Sequence, residues 1–232
     1  MAAPERRERL ARPPLDRSTI VAACVQIIDA DGIEALTMRR LGEQLDVDAT
    51  AVYRHFRDKD ELLHAVGDHL HDQVLTGLEM AGRGRAGWRP VVRELCLRLR
   101  FAHLRRPDLA ALVRTGPPLQ DNEFLLTETL LASFRRAGLS DRHVVDSYHA
   151  VIELTVGSAA IDAAVAGLDE GDREAMYASW RRAYAALDSQ RFATTVDVAH
   201  RLYPDGVDER FAVALDLLLD GIAARIRTRP HT

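Results

Sequence analysis

Between Thr37 and Lys59 the chain folds back on itself within a space too short for anything but two small helices and a turn. Thr37 offers a cap to the first helix and Asp48 to the second, each supplying a side-chain oxygen for an orphan helical N–H. Leu41, Leu45, Val47, Val52 and Phe56 form an apolar hinge between them. Gly42 sits where the helices approach most closely and a side chain would push them apart. With the hinge buried, Ala49, Thr50, Tyr53 and Arg54 face outward, flanked by Ala51 and His55. That layout lays its second helix in the major groove of DNA. Arg54 can fork onto guanine O6 and N7, while Thr50 and the small alanines can meet thymine methyls. Tyr53 and His55 carry donors suited to phosphate oxygens, which set register without reading sequence. Lys59, the only lysine in the chain, follows where an ammonium can clamp the backbone. Thr37 can bond a phosphate, and Arg39 can reach a phosphate or a base.

Charge makes this a local property. The net charge of the 232 residues is −4, so the protein is no general polyanion binder and any nucleic-acid affinity must come from a patch. From Arg39 to Lys59 five cations (Arg39, Arg40, Arg54, Arg57, Lys59) face four acids (Glu43, Asp46, Asp48, Asp58), so geometry must segregate them. Apolar residues at 47% and charged residues at 28% are an ordinary globular balance. Cys24 and Cys96 lie in apolar helical stripes with no metal-site spacing, which predicts reduced core thiols. Without a signal peptide or a membrane-length apolar run, a cytoplasmic protein with no membrane partner is expected.

The whole chain reads as all-α, because stripes of period 3.6 recur and no alternating pattern persists. Residues 1–14, with four arginines and a closing Pro13-Pro14, read as a flexible basic arm. Asp16 can cap a first helix whose buried stripe is Ile20, Cys24, Ile27 and Ile28, ended by Gly32. A longer fourth helix from Asp58 or Lys59 carries Leu62, Leu63, Val66, Leu70 and Val74 along one side. Glycines at 82, 84 and 87 break helicity and set a boundary. Residues 15–81 form the helix-turn-helix domain with its connecting helix, and residues 82–232 a larger helical domain. Within the latter, helices are expected near 88–105, 107–114, 122–137, 140–166, 172–187 and 207–227.

The larger domain has two expected tasks. A lone helix-turn-helix reads few base pairs, whereas a dimer spans two half-sites roughly 34 to 36 Å apart. The last helix has one stripe of Phe211, Leu215, Leu218 and Ile222 and another of Val213, Ala214 and Leu217, so it must be covered twice. The run Gly157-Ser158-Ala159-Ala160 permits close backbone approach. These features predict a homodimer interface at Val151, Gly157, Ser158, Ala159, Leu215, Leu218, Leu219 and Ile222. Polar residues inside apolar stripes suggest a ligand pocket. The candidates are His103, Asn122, Thr127, His149 and Glu153, the last two one turn apart. Two potential ligands without a third do not make a metal site. No catalytic set, phosphate loop or zinc-binding phrase is present, and no cofactor is expected.

The segment from Leu15 to Leu63 resembles the DNA-binding domain of TetR-type transcriptional regulators. The resemblance rests on Gly32-Ile33-Glu34-Ala35-Leu36-Thr37-Met38-Arg39-Arg40-Leu41, Val52-Tyr53-Arg54-His55-Phe56 and Lys59-Asp60-Glu61-Leu62-Leu63. Phe211 to Ile222 is similar to the last helix of tetracycline-repressor-like C-terminal domains. The resemblance implies a base contact from Arg39, a recognition helix over 49–55, backbone contacts from Tyr53 and His55, and a phosphate clamp at Lys59. Ala49 departs from the family, where a polar base-reader is common, which leaves more of the reading to Arg54 and Thr50. The family histidine that grips tetracycline would fall at about Leu75, and an apolar residue there argues against that drug. The implied function is a repressor released from a palindromic operator on double-stranded DNA by a small-molecule effector. An architectural DNA-binding protein without an effector and a helical enzyme using the C-terminal pocket are the alternatives.

Overall fold

Capping chemistry starts the helices where the sequence places it. The computed structural model describes residues 15–78, 87–113, 120–203 and 207–227, and every regular element among them is helical. The expected arm over 1–14 and most of the break at 82–87 lie outside the described residues. Asp16 accepts the Thr19 N–H at 2.7 Å and opens α1 (Arg17–Asp31), which Gly32 ends with φ +81°. A single 3₁₀ turn, Ile33–Ala35, leads to Thr37, whose hydroxyl accepts the Arg40 N–H at 3.1 Å and opens α2 (Met38–Leu45). Asp48 accepts the Thr50 N–H at 2.8 Å and opens α3 (Ala49–Tyr53), and Asp58 accepts that of Glu61 at 2.7 Å to open α4 (Lys59–Leu75).

The turn between α2 and α3 is tight. Asp46 adopts a left-handed conformation, φ +50°, which its short polar side chain tolerates better than most. The Val47 N–H then reaches back to the Gly42 carbonyl at 2.9 Å. A Cβ added at Gly42 would lie 2.8 Å from the Val47 carbonyl oxygen and 3.3 Å from the Ala49 nitrogen. The glycine is therefore required by the turn's own backbone, more than by a helix crossing.

Beyond residue 86 lie α5 (Trp88–Arg105), α6 (Pro107–Val113), α7 (Asp121–Arg136), α8 (Asp141–Ala166), α9 (Glu170–Ala185), α10 (Ala193–Val198) and α11 (Val207–Arg227). Helix α10 and the 3₁₀ turn Ala199–Arg201 behind it were not expected from the sequence. Helices α5, α7, α8 and α11 bury Val92, Leu95, Leu130, Phe134, Val151, Leu215 and Leu219 in a common core. A second core joins Ile20, Cys24 and Ile27 of α1 to Leu41, Val52, Phe56, Leu62 and Val66. Helix α4 belongs to both, with Leu62 to Leu70 in the front core and Val74 in the rear one. Leu109 of α6 also inserts into the front core. Among the described residues no single helix is long and apolar enough to cross a membrane.

Burial settles the state of the two thiols. Cys24 and Cys96 are both free and fully enclosed, and burial pushes them up to about 12 and about 11, so neither forms a thiolate near neutral pH. At Gly42 the added methyl of Gly42→Ala must displace main chain, so a loss of about 1–3 kcal/mol is expected, as for other overpacking changes. Chemical denaturation of the variant against the parent measures it.

Candidate functional site

Helix α3 is only five residues long, and its two sides differ sharply. Val52 and Phe56 are fully buried beneath it, while Tyr53 is 51% exposed on its outer side. Thr50 and Arg54 are exposed beside Tyr53, and Ala49, Ala51 and His55 are half-buried. The helix closes at Tyr53, so Arg54 forms its C-terminal cap and His55 stands beyond it, two residues earlier than the sequence suggested. Thr37, Arg39 and Lys59 are exposed at the starts of α2 and α4. Arg39 lies 3.3 Å from Glu43 on the surface, an exposed pair that an incoming phosphate can replace. Arg54 and Lys59 form no ion pair with any described residue.

The other cations of this region are occupied in holding the unit together. Arg40 pairs with Asp31 at the end of α1. Arg17 lies over the Phe56 ring at 4.0 Å, donates to the His55 carbonyl, and reaches Glu61 at 3.0 Å. Glu61 also accepts from the backbone N–H and Nε of Arg57, at 2.9 and 3.1 Å. The Arg57 N–H, then the Arg17 and Arg57 guanidinium groups, hold the Glu61 carboxyl down to about 2. Arg17 and Glu61 were missed in the sequence. The Asp58-x-x-Glu61 spacing of a capping box was the one available signal for Glu61.

The rear half of α4 borders a different kind of space. Gly67, Leu70, His71, Val74, Leu99, His103 and Leu109 line a narrow cleft among α4, α5 and α6, with about 10 Å³ of room, enough for roughly one water. A wider cleft of about 200 Å³ adjoins it, shares His103 and Ala110, and continues along Ala159, Ala160 and Ala163 of α8. His71 is buried, and its Nδ1 has no hydrogen-bond partner. Burial lowers its pKa, with the nearby Asp68 carboxylate opposing, so the ring is neutral at pH 7. The sequence reading did not select His71, because it sits in a polar run with His69, Asp68 and Asp72.

Only one of the five expected effector residues reaches this space. His103 lines both clefts. Asn122 instead ties α7 to α4, its N–H and Nδ2 donating to Asp68 at 3.0 and 2.9 Å. Thr127 lies 3.4 Å from the Tyr148 hydroxyl, too far for a strong bond. His149 and Glu153 are exposed on the outer side of α8, in line with Val145, so they line no interior pocket. Among the described residues no three His, Cys, Asp or Glu side chains gather as metal ligands would.

Five of the eight expected interface residues lie inside the subunit. Val151, Leu215, Leu219 and Ile222 are buried in the subunit's own core, and Ala159 is buried as well. Leu218 is half-buried against that core, and Ser158 turns toward Arg100 and Asp162. Gly157 is half-buried with nothing within 4 Å of an added Cβ, and it follows Val145, His149 and Glu153 at four-residue spacing on the outer side of α8, so it remains available to a second subunit. Burial accounts for the last helix: Phe211, Leu215, Leu219 and Ile222 pack into the subunit's own core, with Arg89 and Arg93 of α5 pairing with Asp216 and Asp220 beside them. The stripe left outside holds Val213 and Leu217, 56% and 69% exposed.

The Glu61 geometry has a pH consequence. A carboxyl held near 2, below its ordinary 4.5, stabilises the fold fully above about pH 4.5 and loses that contribution as pH falls toward 2. The melting temperature of Glu61→Gln should therefore lie below the parent's at neutral pH, and the gap should close across that acid window. A gap that stays constant with pH would show that the carboxylate charge does not hold this corner.

Comparison with known proteins agrees with this geometry. Residues 20–66 match the family model for bacterial regulatory proteins of the tetR family, and residues 82–226 match the tetracyclin repressor-like C-terminal domain. An HTH-type transcriptional regulator of Saccharopolyspora erythraea is 30% identical over 183 residues, 79% of this chain and 75% of the relative. Apo ActR from Streptomyces coelicolor superposes with a TM-score of 0.77 at 27% identity, covering 94% of this chain and 99% of that one. Its complex with actinorhodin gives 0.74 at 25% identity, covering 91% and 98%. BioQ, solved with its natural double-stranded DNA operator, gives 0.55 at 31% identity, covering 91% and 99%. The chain belongs to the TetR family, and it is a ligand-responsive, DNA-binding transcriptional regulator.

Proposed function

We propose that the protein is a repressor that binds a palindromic operator as a homodimer and leaves it when a small molecule enters the α4–α6 cleft. The observation that carries the reading is the pair Arg54 and Lys59. Both are exposed and unpaired among the described residues, Arg54 at the end of α3, whose other side is fixed by Val52, Phe56 and Arg17, and Lys59 at the start of α4. An arginine so placed can approach a guanine edge with little loss of freedom, while Lys59 meets the phosphates. Thr37, Arg39 and Tyr53 border the same face, with Thr50 and the half-buried Ala49 and Ala51 within the helix and His55 at its exit. The BioQ–operator complex supports DNA as the target.

The subunits pair, on this reading, through the outward sides of α8 and α11, which pack side by side. Val145, His149, Glu153, Val213 and Leu217 lie on those sides. Val213 and Leu217 leave an apolar strip uncovered that a second copy would bury. His149 and Glu153 thus move from the effector site to the subunit interface.

The effector would combine an apolar body, matched to Leu70, Val74, Leu99 and Leu109, with one polar group facing His71. The unmade bond at Nδ1 is worth roughly 1–3 kcal/mol to a ligand that completes it. With so little free room, occupancy of the narrow cleft must part α6 from α4. Arg106 donates to both oxygens of Asp29 at 2.8 Å, so that movement also pulls on α1 and the DNA-binding unit. The ligand acts only as far as it prefers the parted state. The ActR–actinorhodin complex supports a ligand-binding role for a protein of this fold. Among the described residues no hydroxyl, thiol or carboxylate lines the narrow cleft, which favours binding over catalysis.

Gel retardation with the DNA upstream of the protein's own coding sequence tests the reading. Selective retention over random duplex supports it, and equal affinity for all duplexes favours the architectural alternative. Arg54→Ala should cost about 1–3 kcal/mol and relax one operator position, whereas Lys59→Ala should weaken all sequences alike and flatten the salt dependence. Leu217→Glu should yield monomers in sedimentation and lose operator binding while keeping its helical content. A Leu217→Glu protein that stays dimeric would refute the interface.

A further inference from the structure

A second cavity lies away from both sites, between α9 and the segment that follows α10. Trp180, Ala183, Tyr184, Leu187 and Tyr203 line about 390 Å³, far more than the room among α4, α5 and α6. That volume falls in the range of small-molecule sites. Its walls are aromatic by construction. The Tyr203 ring stacks with Tyr177 at 5.8 Å and with Tyr184 at 6.0 Å, and Trp180 meets it edge-on at 4.8 Å. Tyr203 holds this place in a left-handed conformation, φ +52°, which a bulky residue rarely adopts. Arg181 fixes it by donating to the Tyr203 carbonyl at 2.7 Å, and Glu174 grips Arg181 in turn. Backbone strain held in place by its surroundings clusters at ligand sites and switch regions, and here it lies at a cavity wall.

The lining chooses the ligand. Among the described residues its lining contains no carboxylate, and Asp162 and one oxygen of Glu174 are held by Arg210 and Arg181, so a cation would meet π-faces without a paired counter-charge. Among the described residues it contains no ammonium or guanidinium either, so an anion meets no lining cation. What it offers is π-surface plus the hydroxyls of Tyr184 and Tyr203. These stand 3.4 Å apart, too far to satisfy each other fully, and retain capacity for a third group. We infer that this cavity is a second small-molecule site, for a neutral planar aromatic compound carrying a hydroxyl or carbonyl group.

The chain's two tryptophans make the test direct, because Trp88 is enclosed in the core against Phe134 while Trp180 is 40% exposed at the cavity. In Trp88→Phe protein, titration with 2-naphthol should change Trp180 emission saturably, with one site per chain, and calorimetry on the parent should give the same stoichiometry. Ala183→Leu, which fills the cavity, and Tyr184→Ala, which removes a wall and a hydroxyl, should each weaken binding more than tenfold at unchanged circular dichroism. His71→Leu, in the other cleft, should leave it unaltered. Unchanged affinity in Ala183→Leu, or loss in His71→Leu alone, would place the ligand elsewhere and overturn the inference. So would a Trp180 inaccessible to acrylamide in the assembled protein, since the cavity would then be a contact between subunits.

Discussion

Helix α4 cannot move without disturbing two cores. Its front residues Leu62, Leu63 and Val66 are packed among α1, α2 and α3, and its rear residue Val74 among α5, α7 and α11. Its far end is held too, because Arg98 of α5 donates to the Thr76 carbonyl at 2.7 Å. A cation at helical carbonyls satisfies groups the helix leaves open and complements its dipole. The 17 residues of α4 span about 25 Å, so displacement at His71 is carried toward Lys59 as the motion of a rigid rod. Interiors are packed too densely to absorb such a displacement locally.

The front unit has little freedom of its own. Three caps fix where α1, α2 and α3 begin, the Gly42–Val47 contact fixes the turn, and the Arg17–Phe56–Glu61 corner fixes the exit. What remains exposed is pre-positioned before any DNA arrives, and a reader whose helix is already formed avoids the entropy of ordering it. In the proposed dimer, regulation would work on the separation of two such units, leaving each unit's internal geometry intact. The Arg106–Asp29 link and Leu109 in the front core give α6 a second attachment to the same unit. The proposed effector cleft lies between those attachments and α4.

Local chemistry was legible in the sequence because it needs only neighbours. Asp16, Gly32, Thr37 and Asp48 cap or end helices as their residue types require. Buried stripes such as Ile20, Cys24 and Ile27 follow from the 3.6-residue period. Helix α10 escaped notice because Thr194, Thr195 and Val196 are β-branched and its apolar face is short. Contacts between distant residues were not legible. Arg17 finds Glu61 across 44 positions, and Asn122 finds Asp68 across 54. The last helix shows the limit most plainly: its two apolar stripes were visible, but periodicity cannot say which one a subunit keeps for itself. The packing surface offered by α5, α7 and α8 decides that, taking in Phe211, Leu215, Leu219 and Ile222, with Arg89 and Arg93 pairing at the edge.

Selection of bound duplexes from a random DNA pool by the purified protein tests the central claim most directly, since it asks what two rigid, symmetric readers recognise without presupposing a site. The account expects an inverted repeat whose half-sites are centred about one helical turn, or a small multiple of it, apart. Enrichment of a single unrepeated half-site, or none over the starting pool, would contradict it.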